Sequence, residues 1–117
     1  MNFLDLHPVR VLQHEVRDDG EINLLMPRFK NRLSASLFQP PKKSHFIQIK
    51  LDHFGSQTWI LIDGVSSVTD ICNALRQQFP DEMKPLEETE ERVTKFLSLL
   101  YQERYISFLE IDKNATQ

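Results

Sequence analysis

The stretch Phe46-Ile47-Gln48-Ile49-Lys50-Leu51-Asp52 divides the chain into two parts with different hydrophobic periods. Up to Leu51, apolar and polar residues alternate with the two-residue period of a half-buried strand. The faces read Phe46/Gln48/Lys50 and Ile47/Ile49/Leu51, and the second is expected to meet the core. At Asp52 the period becomes helical. Asp52 has the short acceptor side chain of an N-cap, and it opens a short helix through Ile62 with Phe54, Thr58, Trp59 and Ile62 on one side.

Working backwards, Val9 and Val11 alternate with Arg10, and this strand-like run extends to Arg17. Asp18-Asp19-Gly20 follows, and Asp-Gly between apolar segments is a strong hairpin signal because both residues tolerate positive φ. Glu21–Met26 reads as the returning strand, and Pro27 ends its capacity for ladder pairing. Residues 28–44 form an irregular insertion, with Pro40-Pro41-Lys42-Lys43 as an extended link or turn.

Working forwards, Asp63-Gly64 stops the first helix. Ser67 with Asp70 three residues later forms a variant of the capping box. The helix it opens has an apolar stripe of Val68, Ile71, Cys72, Leu75 and Phe79, closed by Pro80. A polar connection, Asp81–Glu88, leads to a longer helix over Thr89–Glu103 whose core face is Val93, Phe96, Leu97 and Leu100. Ile106–Ile111 predicts a short closing strand, and Asp112–Gln117 a frayed tail. The expected fold is α+β and winged-helix-like: an N-terminal hairpin and third strand (residues 1–51), then a helical part (52–111), all in one domain.

Composition narrows the function. The 117 residues are 40% hydrophobic and carry a net charge of −3, which suits one modest core and argues against disorder. The single Cys72 excludes a disulfide framework, and three glycines argue against a Gly-rich phosphate loop. No apolar run approaches the roughly 20 residues needed to span a bilayer, and no signal peptide is recognisable. A cytoplasmic location is the expectation. The net charge hides an asymmetry: residues 1–50 carry +3 and residues 51–117 carry −6, with six basic and no acidic residues from Arg28 to Lys50.

Catalytic chemistry finds little footing. His7, His14, His45 and His53 are scattered without metal-ligand spacing, so no metal site is expected. Cys72 lies on an apolar helix face, where it acts as a small hydrophobe. Glu87-Glu88 and Glu90-Glu91 suit a helix N-terminus through the macrodipole. No catalytic residue and no cofactor are assigned. DNA binding by the last helix is disfavoured, because Pro85–Arg104 holds five glutamates against Arg92, Lys95 and Arg104. The basic stretch before Lys50 leaves a nucleic-acid-binding regulator as an alternative. A structural homodimer formed through exposed strands is a third reading.

Peptide binding fits the pattern better. An edge strand over Phe46–Lys50 offers free N–H and C=O groups to an added strand. On the last helix Leu99 lies about 60° beyond Phe96, outside the stripe a core requires, so edge and helix would form a groove. The other reading of Leu99 packs it under the N-terminal hairpin.

The segment Ile60-Leu61-Ile62-Asp63-Gly64-Val65-Ser66-Ser67-Val68-Thr69-Asp70-Ile71 resembles the coenzyme PQQ synthesis protein D (PqqD-like) family. Its Asp-Gly helix stop precedes Ser-Val-x-x-Ile. Leu51-Asp52-x-x-Gly55-Ser56 and Val93-x-x-Phe96-Leu97-x-x-Leu100 extend the likeness across residues 46–109, as in a divergent member. The resemblance implies a non-catalytic chaperone of ribosomally made precursor peptides, a RiPP recognition element. Such a protein binds the leader peptide by strand addition and presents it to a radical S-adenosylmethionine (radical SAM) enzyme. Carried over, the site is Phe46, Ile47, Gln48, Ile49 and Lys50, walled by Lys95, Phe96 and Leu99. Asp63 and Gly64 would be structural. The basic stretch before the edge predicts a preference for acidic leaders.

Overall fold

The computed structural model describes residues 2–28, 46–83 and 85–112. Most of the insertion expected over residues 28–44, and most of the tail, lie outside them. After a 3₁₀ turn at Phe3–Asp5 come β1 (Pro8–Arg10), β2 (Gln13–Val16), β3 (Ile22–Pro27) and β4 (Phe46–Lys50). The helices are α1 (His53–Leu61), α2 (Val68–Gln78) and α3 (Leu86–Gln102), followed by β5 (Ile106–Phe108) and the single turn α4 (Leu109–Asp112). Three strands form an antiparallel sheet in the order β2-β3-β4, and β1 pairs with β5 in a second sheet. The arrangement is α+β.

The Asp-Gly hairpin forms, by a different turn from the two-residue one. The Gly20 N–H donates to Arg17 O at 2.9 Å, and Gly20 adopts φ +87°. The Arg17 N–H then donates to Glu21 O at 2.7 Å. Only Gly20 takes positive φ, so the loop has three residues and ends in a glycine bulge. Asp19 reinforces it by accepting from the Glu21 N–H, which helps to hold its carboxyl below the usual range.

The strand expected from Val9 to Arg17 is two strands. The Tyr105 carbonyl accepts from both Val11 and Leu12, at 2.9 and 3.3 Å. This draws the backbone out of register and sends β1 to β5 and β2 to β3. The closing strand is correspondingly short, because β1 offers it only three partners: Pro8 faces Phe108, Val9 faces Ser107 and Arg10 faces Ile106. Beyond Phe108 the chain turns into α4. The His7 carbonyl accepts from Leu109, while the Glu110 carboxylate takes the His7 N–H and meets its ring.

The helix boundaries follow local chemistry. Asp52 caps α1 by accepting from the Gly55 N–H at 2.7 Å. Ser67 and Asp70 form a complete capping box at α2. Between these helices, Asp63 Oδ1 accepts from the Val65 and Ser66 N–H groups at 2.9 and 2.7 Å, and Oδ2 accepts from the Ser66 hydroxyl. These bonds hold the Asp63 carboxyl below its ordinary range, and Gly64 turns at φ +81°. The expected structural role of Asp63-Gly64 agrees with this geometry.

Helix α3 begins a turn earlier than the apolar period indicated. Pro85 occupies the N-cap position, and its carbonyl accepts from the Thr89 N–H and hydroxyl, each at 3.1 Å. Glu87 and Glu88 form an acidic first turn, favourable against the helix dipole. The connection before it is less polar than it reads, since Met83 is buried in the core. That core gathers Ile22 and Leu24 from β3, Trp59 from α1, Ile71 and Leu75 from α2, Val93 and Leu97 from α3, and Phe108 from β5.

Candidate functional site

Register and one hydrogen bond define the edge of β4. Asn23 faces Lys50, Leu24 faces Ile49, Leu25 faces Gln48 and Met26 faces Ile47. The Leu51 N–H donates to Ile22 O at 2.9 Å. Hydrogen-bonded pairs alternate along an antiparallel ladder, so Ile49 and Ile47 also direct their backbone groups towards β3. Gln48 and Lys50 direct theirs the other way, where no strand lies among the described residues. The same alternation explains Pro27 at the end of β3: its missing N–H falls on the β2 side and takes nothing from the β4 ladder.

The side chains of β4 leave the core progressively. Leu51, just past its end, is buried, and Ile49 is half-buried against the core. Ile47, expected on the same buried face, is 40% exposed, which corrects that expectation. Phe46 is half-buried, while Gln48 and Lys50 are exposed.

Polar groups fix this edge from the hairpin side. The Arg17 guanidinium donates to Leu51 O, Ile22 O and Asn23 Oδ1 at 3.0–3.1 Å. The buried Asn23 amide in turn donates to Glu15 and, at 3.4 Å, to Gln48 Oε1. Ser56 of α1 closes the other side, with its hydroxyl accepting from the Ile22 N–H at 2.8 Å. These contacts of Arg17 and Ser56 leave no trace in the sequence, because each acts on backbone brought near by the fold.

The residues expected from α3 have three different fates. Phe96 is half-buried and packs edge-to-face on Phe54, with ring centroids 5.6 Å apart. It lies so close to α1 that a Cβ on Gly55 would be 3.2 Å from its ring. Phe96 is thus tied to the helix that continues β4. Leu99 is 54% exposed, so it does not pack under the hairpin. Lys95 is exposed and pairs with Glu91 one turn earlier at 3.2 Å. Such an exposed pair is a weak tether. Arg92, which in the sequence counts only towards the charge of this helix, lays its guanidinium on Phe54 with its central carbon 4.0 Å from the ring centroid.

Other candidates for chemistry are held in structural roles. Cys72 is buried in α2, and burial together with the Glu90 charge pushes its thiol up to about 11. His7, His14 and His53 make separate contacts, to Glu110, Trp59 and Glu21. Among the described residues no group of three or more His, Cys, Asp or Glu side chains could hold a metal ion. No helix of the described residues is long and apolar enough to cross a membrane.

The fold and this site define an α+β protein in which β4 is the outer strand of its sheet among the described residues. The chain belongs to the coenzyme PQQ synthesis protein D (PqqD) family, whose family model matches residues 40–106 and so spans β4 to the start of β5. Comparison with curated proteins and with solved structures gives no match.

Proposed function

We propose that this protein is a non-catalytic peptide chaperone, a winged-helix-like RiPP recognition element. In this reading a precursor leader peptide adds as a strand to β4, and the complex presents it to a radical SAM modifying enzyme. Membership of the PqqD family supports a role as an accessory partner in the biosynthesis of PQQ or of another peptide-derived product. The observation that carries the binding mode is the outward direction of the Gln48 and Lys50 backbone groups. The exposed Ile47 and Leu99 supply apolar surface for alternate side chains of such a peptide, and Phe96 supports the wall from beneath. The acidic, exposed first turn of α3 works against nucleic acid as the ligand, since phosphate would be repelled there.

Titration of isotope-labelled protein with candidate leader peptides tests the proposal. Amide signals of residues 46–50 and 92–100 are expected to move. Unchanged signals in both segments would overturn it.

A further inference from the structure

We propose that Arg92 is the specificity-determining residue of this edge, and that it selects an extended peptide carrying an Asp or Glu opposite the Lys50 end of β4. The assignment rests on the strand-addition reading and adds the ligand's chemistry to it.

Three observations carry it. First, the guanidinium of Arg92 is held in place: it lies 4.0 Å above the Phe54 ring, and that ring is fixed by Phe96 at 5.6 Å. Stacking on an aromatic face orients the planar fork and leaves its edge N–H donors free. Second, the charge is unneutralised. Among the described residues Arg92 makes no ion pair, although Glu88 lies one helical turn earlier with the spacing for one. Lys95, its basic neighbour on α3, does pair, with Glu91. Third, the chain links the stack to the strand: Phe54 lies in the first turn of α1, which Asp52 caps immediately after β4 ends, four residues beyond Lys50.

An oriented guanidinium with free donors recognises a planar oxyanion in bidentate fashion, and on an extended peptide that group is a side-chain carboxylate. Lys50 adds a second positive charge at the same end of the strand. Lysine in place of Arg92 would keep the charge and lose the fork.

A displayed library of random linear peptides, selected separately on the wild-type protein and on the Arg92→Gln and Arg92→Lys variants, tests the assignment. Arg92 is exposed, and the variants are checked for folding by their amide spectra before selection. Wild type is expected to enrich Asp or Glu at one fixed position of peptides that shift the Gln48 and Lys50 amides. Arg92→Gln should lose that enrichment and keep the apolar pattern. Replacing the selected acid by its amide should weaken binding to wild type about fivefold and leave binding to Arg92→Gln nearly unchanged. Arg92→Lys should fall between the two. Equal acidic enrichment on wild type and Arg92→Gln, with β4 amides still shifting, would overturn the Arg92 assignment alone. Peptides that never shift the β4 amides would overturn strand addition and this assignment with it.

Discussion

The indole N–H of the fully buried Trp59 donates to Nδ1 of His14 at 3.1 Å, joining α1 to β2. An indole nitrogen can only donate, so His14 must keep Nδ1 unprotonated to accept. Burial, and secondarily the Arg10 charge, hold the His14 imidazole below its ordinary value of 6.5. Arg10 is itself fixed by donating to the carbonyls of Trp59 and Ile60.

Acid should therefore weaken the fold in a defined window. The unfolded chain binds the His14 proton more readily than the native state, so this stability is fully present well above about pH 6.5 and is lost as pH falls through that value and below it. The chain has one tryptophan, which makes Trp59 fluorescence a direct report of denaturant unfolding. The midpoint should move to lower denaturant between about pH 7 and about pH 5.5. His14→Gln retains an acceptor and should flatten that dependence, whereas His14→Ala should cost roughly 1–3 kcal/mol at neutral pH by orphaning a buried donor.

Gly55 should resist enlargement. An added Cβ would lie 3.1 Å from Asp52 Oδ1 and 3.2 Å from the Phe96 ring, and both neighbours are held, one by the helix cap and the other by Phe54. Alanine's helix propensity, worth up to about 1 kcal/mol over glycine, is outweighed by an overpacking cost of about 1–3 kcal/mol. Gly55→Ala is expected to lower stability by roughly 1 kcal/mol. Combined with Phe96→Leu, the same change should become neutral or better. Thermal unfolding of the single and double variants measures the coupling.

Replacing Asp63 should affect the turn and leave the ligand edge alone. Asp63→Ala removes three acceptor bonds and is expected to cost about 1 kcal/mol. Asp63→Asn can keep the two Oδ1 bonds to the Val65 and Ser66 amides, so its cost should be smaller. Peptide affinity should be unchanged in both; a selective loss of binding with stability intact would give Asp63 a ligand role instead.

The edge itself can be blocked without disturbing the sheet. Gln48 directs its N–H away from β3, so proline at 48 removes no ladder bond there. Gln48→Pro should retain a cooperative fold and lose peptide binding by tenfold or more, as read by fluorescence anisotropy of a labelled leader. Ile49→Pro removes a bond to β3 and should instead lower stability itself, by about 3 kcal/mol or less at this short edge strand.

Local chemistry was legible in the sequence. The Asp52 cap, the Ser67/Asp70 box, the strand at Phe46–Lys50 and the stripe of α2 depend on neighbours within a few residues, and each is present, though Ile47 departs from the expected alternation of burial. What the sequence concealed depends on distant partners or on residues that carry no apolar period. The first strand breaks because Tyr105, from the far end of the chain, captures two of its amides. Helix α3 starts early because glutamates favour a helix N-terminus without showing an apolar period. The candidate site divides in the same way. The β4 strand was readable, whereas the Arg92–Phe54 stack joins two helices and leaves no periodic trace.

The measurement that bears most directly on strand addition is amide hydrogen exchange along β4, with and without a bound leader peptide. In the free protein Ile47 and Ile49 should be protected by β3, and Gln48 and Lys50 should exchange quickly. On binding, Gln48 and Lys50 should become protected while Ile47 and Ile49 change little. A peptide that binds yet leaves Gln48 and Lys50 exchanging as fast as before would contradict the account.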